Sequence, residues 1–158
     1  MRLFLDTNVL FDYISGREPF FYDAQALALM KTFGDVELSV SGKSYTDVFY
    51  VLRKYRNSQQ VQQSFVNSLE LFDVCSLEQD DLTAACGLGW QDFEDALIAT
   101  SAQKAGADYL VTRDAAFERS LVPAKTPEQI VELFAEQGLS FAEIDLAAVD
   151  ADALESDA

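Results

Sequence analysis

Histidine is absent from this chain of 158 residues. Its absence excludes Ser-His-Asp and Cys-His catalysis, zinc–histidine sites and imidazole acid–base chemistry within the chain. Cysteine is scarce. Cys75 and Cys86 show neither metal-ligand spacing nor a framework of bridges, and both read as reduced packing thiols of a cytoplasmic protein. No apolar run reaches the roughly 18 residues that a membrane span needs. The opening Met1-Arg2-Leu3-Phe4-Leu5 meets an acid at Asp6, too early for a signal peptide. Bases are few, 11 against 27 acids, and the formal net charge is −16. That deficit opposes indiscriminate binding to nucleic acid. Its distribution softens the objection. No base follows Lys125, whereas Glu128, Glu132, Glu136, Glu143, Asp145, Asp150, Asp152, Glu155 and Asp157 all do.

What is present suits one globular domain, with 49% hydrophobic and 24% charged residues. Arg2 to Leu5 reads as a short strand, and a helix begins at Asp6-Thr7-Asn8 and ends at Gly16. Pro19 is expected to keep the next stretch extended before a helix from Tyr22 to Thr32. Glu37 to Ser41 is a strand. Lys43 to Tyr55 is a helix with Val48, Val51, Leu52 and Tyr55 on one stripe. Further helices are expected over Ser58–Leu71, Glu78–Cys86 and Gln91–Ala105, with strands over Phe72–Cys75 and Asp108–Val111. A last short strand is expected near Leu121-Val122. Thr126-Pro127-Glu128 then opens a helix that docks through Ile130, Val131 and Phe134. This alternation predicts an α/β fold, a three-layer α/β/α sandwich around a mostly parallel sheet of four to five strands. The domain is expected to occupy residues 1–138, with an acidic tail at 139–158 mobile over at least its last ten residues.

Four short acidic segments carry the most information: Leu5-Asp6-Thr7-Asn8, Ser44-Tyr45-Thr46-Asp47, Asp92-Phe93-Glu94-Asp95-Ala96-Leu97-Ile98-Ala99 and Val111-Thr112-Arg113-Asp114. Asp6 and Asp114 each follow a predicted strand, at the sheet edge where open parallel sheets bind ligands. Asp92 and Asp95 are three apart, on one face of a helix whose Ala96–Ala99 run should be buried. Carboxylates gathered in one cleft repel, and a divalent cation is the usual remedy. Each acid also has a plainer reading. Asp6 can be a helix cap and Asp114 a turn residue; Asp47, Asp92 and Asp95 can answer a helix dipole. Thr7, Asn8, Ser44 and Thr112 can hold the acids in place or can be caps and turns.

Together, in this order and spacing, the segments resemble the PIN domain, the nuclease fold of VapC-type toxins. The likeness runs from Met1 to about Phe134. Asp6-Thr7-Asn8 is similar to the family's opening segment, and Asp47 stands where the family more often has Glu. Asp95 matches the third acid, Asp92 an extra acid of one branch, Asp114 the last acid and Thr112 a common orienting residue. The resemblance implies a metal-dependent endoribonuclease in which Asp6, Asp47, Asp95 and Asp114 are catalytic. The same four acids, with Asp92, would hold Mg²⁺ or Mn²⁺, supported by Asn8 and Thr112. Oxygen-only ligands suit such hard cations. The implied partners are an RNA substrate, an antitoxin protein and a second copy of the chain.

Arg113 and Lys43 stand nearest the expected cleft and could contact RNA. Arg53, Lys54 and Arg56 could join them, although a solvated helix face with salt bridges explains those three more simply. Trp90, in a glycine turn beside Asp92, is the best candidate for base stacking. Two other classes stand beside the nuclease: a non-catalytic PIN-like module that binds RNA or protein, and a phosphoryl-transfer domain. The last wants an acid pair after the first strand, or a second Asp two residues after the first, where this chain has Asn8.

Overall fold

A computed structural model describes residues 1–137. Strand β1 (Arg2–Leu5) leads into helix α1 (Thr7–Ser15), which Gly16 ends at φ +66°. Helix α2 (Phe20–Thr32) follows, then β2 (Glu37–Ser41) and α3 (Gly42–Leu52). Next come α4 (Ser58–Ser68), β3 (Asp73–Cys75), α5 (Gln79–Gly87) and α6 (Phe93–Lys104). The described chain closes with β4 (Tyr109–Val111), a 3₁₀ turn (Ala115–Arg119), β5 (Ala124–Lys125) and α7 (Pro127–Glu136). The acidic segment expected at 139–158 lies outside the described residues. No described helix is long and apolar enough to cross a membrane.

The five strands form one sheet in the order β3-β2-β1-β4-β5, and every pairing is parallel. The predicted three-layer sandwich is the observed one. Alternation along β1 splits its side chains between two cores. Leu3 and Leu5 join Leu38, Val40 and Val111 beneath α1, α2, α3 and α7. Phe4 faces the other way, onto Leu110 and the Ile98, Ala99 and Ala102 stripe of α6. Ala96 to Ala99 are all buried, as their pattern required, and the small alanines let α6 lie close to the sheet. Strand order reverses at β1, between β2 and β4. Such a switch point leaves a crevice at the strands' carboxyl ends.

Several boundaries differ from expectation. Pro19 is helical (φ −82°, ψ −7°) and immediately precedes α2, which starts two residues early. Pro tolerates a helix start because its missing N–H would be unpaired there. Helix α3 stops at Leu52, so Tyr55 is 81% exposed and off the docking stripe, and Val51 is also exposed. The last strand is Ala124–Lys125 rather than Leu121-Val122, and Leu121 is exposed. In α7, Ile130 and Phe134 are buried as expected, while Val131 is only partly so. Both cysteines are free; Cys75 packs beside the second core but Cys86 is exposed.

Candidate active site

The backbone positions Asp6 first. Its N–H donates to Val111 O at 3.0 Å, extending the β1–β4 ladder by one residue past Leu5. Asp6 is then extended (φ −68°, ψ 158°) and caps α1, with Oδ1 accepting from Thr7 N at 2.7 Å. Oδ2 accepts from Thr112 Oγ1 at 2.7 Å and from Asn8 Nδ2 at 2.5 Å. Thr112, itself buried, is the hub of this wall. Its hydroxyl also accepts from Asp114 N at 3.0 Å and Asn8 Nδ2 at 3.2 Å. Asn8 Oδ1 is buried without a hydrogen-bond partner among the described residues. Burial pushes the Asp6 carboxyl up to about 6; the Thr112 and Thr7 hydrogen bonds oppose this, and the charges of Asp95 and Asp114 add to it.

Asp95 enters from the first turn of α6. Its pKa is also raised, by burial and by Asp92 and Asp114, against the pull of Arg119. Asp92 caps α6 through one oxygen, accepting from Glu94 N at 2.9 Å and Asp95 N at 3.3 Å. Asp114 is exposed and caps the 3₁₀ turn through Ala116 N at 2.8 Å. The capping alternatives for Asp6, Asp92 and Asp114 therefore describe real bonds, but each accounts for only part of a carboxylate.

Asp47 differs. Because α3 starts at Gly42, Asp47 sits in the second turn rather than the first, beyond the reach of the helix dipole. Its partner is Lys43, one turn back, with Nζ–Oδ2 at 2.5 Å. Lys43 also reaches Glu94 Oε2 at 3.3 Å, tying α3 to α6. Burial and the Asp47 charge raise the Glu94 pKa, and Lys43 opposes them. Thr7 Oγ1 and Ser44 Oγ, 2.8 Å apart, tie α1 to α3. An open groove of about 450 Å³ runs between these elements, lined by Asp6, Asn8, Asp47, Val51, Glu94 and Arg113 among others. Asp95 and Asp114 act on Asp6 through their charge but do not line that groove. Among the described residues no three acids stand close enough to form a ready-made metal cluster.

Neither base named for RNA contact is unengaged. Lys43 serves Asp47 and Glu94, and Arg113 donates to buried Asp12 Oδ2 from Nε at 3.0 Å and from Nη2 at 2.7 Å. The Arg113 guanidinium also stacks on Phe20, 3.9 Å from the ring centre. Trp90 is only partly exposed; it packs edge-on against Phe117, with the Arg119 guanidinium 4.1 Å over its ring. Sequence reasoning missed Glu94, Asp12 and Arg119, and also Arg17, which lines the groove and whose charge acts on Asp12. The i, i+4 spacing of Lys43 and Asp47 could have been read as a helical ion pair, which turns attention to what else Lys43 meets.

The sequence matches the PIN domain family over residues 2–116. The chain belongs to the PIN domain family. No curated protein matches it. Among solved structures, the PIN domain fold seen here is similar to VapBC2 from Rickettsia felis bound to a DNA fragment from their promoter. That likeness has a TM-score of 0.62 and 18% identity, over 80% of this chain and 98% of that one. A toxin–antitoxin complex from Klebsiella pneumoniae matches with a TM-score of 0.60 and 26% identity, covering 79% and 97% of the two chains. VapC20 of Mycobacterium tuberculosis, a sarcin–ricin-loop-cleaving toxin, matches with a TM-score of 0.63 and 15% identity, covering 76% and 95%.

Proposed function

We propose that this PIN domain protein is a metal-dependent endoribonuclease that hydrolyses RNA phosphodiester bonds, as the toxin half of a toxin–antitoxin pair. The observation that carries the reading is Asp6. A buried carboxylate at the switch point, its pKa pushed up by burial and by two further acids, is a charge waiting for a counter-ion. The donor set fits Mg²⁺ or Mn²⁺. It is all oxygen, and the orphaned Asn8 Oδ1 adds a neutral donor beside Asp6. Asp6, Asp95 and Asp114 would hold the ion, with Asp47 and the uncapped oxygen of Asp92 completing the site. When bound, the ion supplies a lowered water pKa and stabilises charge at the phosphoryl group.

The chain's own groups do the positioning. Thr112 and Thr7 aim Asp6, and Thr112 fixes Asp114 through its backbone. The Asp12–Arg113 pair ties the loop bearing Thr112 and Asp114 to α1, the helix that carries Asn8. Lys43 keeps Asp47 and Glu94 from repelling each other. The toxin assignment draws on the Klebsiella structure, a toxin–antitoxin complex. A non-catalytic RNA- or protein-binding module remains the second reading, favoured by the lack of a ready-made acid cluster among the described residues.

Incubating purified protein with total cellular RNA separates the two. Discrete cuts that require Mn²⁺, stop with EDTA and are lost in Asp95→Asn are expected. Intact RNA under every condition would favour the binding module. Growth arrest on expression, relieved by a small DNA-binding protein encoded alongside, is the expected outcome for a toxin.

A further inference from the structure

Helix α3 ends in a patch that the active-site cleft does not use. Tyr50 is 57% exposed and Tyr55 is 81% exposed. The Arg53 guanidinium and the Lys54 ammonium each lie 4.8 Å from the centre of the Tyr50 ring. Arg53 and Lys54 make no ion pair among the described residues, although acids outnumber bases 27 to 11. The lysines and arginine that do ion-pair are Lys31, Lys43, Lys104 and Arg113, all elsewhere. Among the described residues, the salt bridges that would make this an ordinary solvated helix face are not formed. The patch is nevertheless anchored. Leu52 is buried beneath it, and Arg56 donates to Ser15 O at 2.6 Å, binding the end of α3 to the end of α1.

We infer that this patch is a platform for single-stranded RNA, with Tyr50 and Tyr55 stacking bases while Arg53 and Lys54 contact phosphates. The inference rests on the ribonuclease reading above. Exposed aromatic rings beside cations that no described acid pairs with are the chemistry that holds unpaired strands, because every base offers a π-face and every linkage a charge. An arginine stacked on a tyrosine offers a flat cationic surface suited to both. Position supports the same occupant. Val51 lines the groove together with Asp6 and Asp47, and Tyr50 is its neighbour in the chain. Asp47 and Tyr50 are separated by about 4.5 Å of helix rise. A strand leaving the groove across Val51 would meet the patch at once. The bases there also offset locally the −16 charge that otherwise repels RNA.

The test is fluorescence anisotropy of a labelled single-stranded RNA oligomer with the full chain, in EDTA so that nothing is cut. The proteins are wild type, Arg53→Ala/Lys54→Ala, Arg53→Glu, Tyr55→Ala, and Lys31→Ala as a control for charge loss elsewhere. All the altered patch residues are exposed, and thermal melts check that each variant is folded. The double variant is expected to bind about 10-fold more weakly near 0.1 M salt, with a log K against log salt slope shallower by about 1.4. Arg53→Glu changes the local charge by the same two units and should weaken binding about as far as the double variant. Tyr55→Ala should cost about 5-fold or more, with the slope unchanged. Wild-type RNA binding that the patch variants leave intact would overturn the platform and spare the ribonuclease. Absence of RNA binding by every form, wild type included, would overturn the platform, and the Mn²⁺-dependent cleavage assay then decides the ribonuclease reading on its own. Patch variants that turn a dimer into a monomer in sedimentation, with RNA affinity unchanged, would make this face a contact between copies and overturn the platform.

Discussion

The two walls of the cleft are built from different forces. On the β1–α1–β4 wall, Asp6 accepts from a backbone N–H, a buried hydroxyl and an amide, and Thr112 links it to Asp114. On the α3–α6 wall, Asp47 and Glu94 share one half-buried lysine. Hydrogen bonds from fixed, buried donors aim a carboxylate whatever the ionic strength. A lysine bridge near the surface is screened by salt and is held by a flexible stem. The first wall is therefore preorganised, and the second can be rearranged by substrate or ion. Changes to the two walls should differ in size and in salt dependence.

The largest effect is expected at the first wall. Asp6→Asn should reduce Mn²⁺-dependent cleavage by about 100-fold or more, the loss usual when a preorganised group at a developing charge is removed. Initial rates on a mapped RNA substrate measure this. Rates within a few-fold of wild type would remove Asp6 from the machinery.

The same carboxylate predicts a pH effect on stability. A raised folded-state pKa means that the fold favours the protonated acid. That contribution is present below about pH 4 and is lost as pH rises toward about 6. The shift corresponds to ~3 kcal/mol. Urea melts of metal-free wild type and Asp6→Asn should show wild type losing that much relative to the variant between pH 4 and pH 7. A difference that stays flat with pH would mean the Asp6 donors satisfy its charge fully.

Thr112→Val keeps the shape and removes the hub. Asp114 N loses its acceptor, Asn8 Nδ2 loses one of two, and Asp6 loses a donor. A stability loss of about 1–3 kcal/mol is expected, with Mn²⁺ affinity lower by about 10–100-fold. Both should persist in high salt. Lys43→Gln should cost less than about 1 kcal/mol, and that cost should vanish near 1 M salt. Equal salt sensitivity in the two variants would erase the distinction between the walls.

Much of the fold was legible because local chemistry and tertiary structure agree. Alternation in β1, the polar Asp6-Thr7-Asn8 start of α1, Gly16 and the Thr126-Pro127 start of α7 each mark a boundary by a local rule. The end of α3 has no such mark. Leu52 is followed by neither Gly nor Pro, and Tyr55 completes an apolar stripe that the helix never reaches. The two-residue β5 is too short for any period, and the 3₁₀ turn depends on the Asp114 cap. At the site, order and spacing marked the four acids as candidates for the role proposed above. They did not reveal the acids' partners. Arg113 meets Asp12 from 101 residues away, and Lys43 meets Glu94 across two helices. Only the folded sheet decides such pairings, and they leave Arg113 and Lys43 engaged within the protein.

The most direct test of the account is calorimetric titration of Mn²⁺ into the metal-free protein near pH 7.5. Wild type should bind the ion, and Asp95→Asn should bind at least about 10-fold more weakly. Affinity unchanged in Asp95→Asn, or no binding to wild type, would contradict the claim that these acids are gathered to hold a divalent cation.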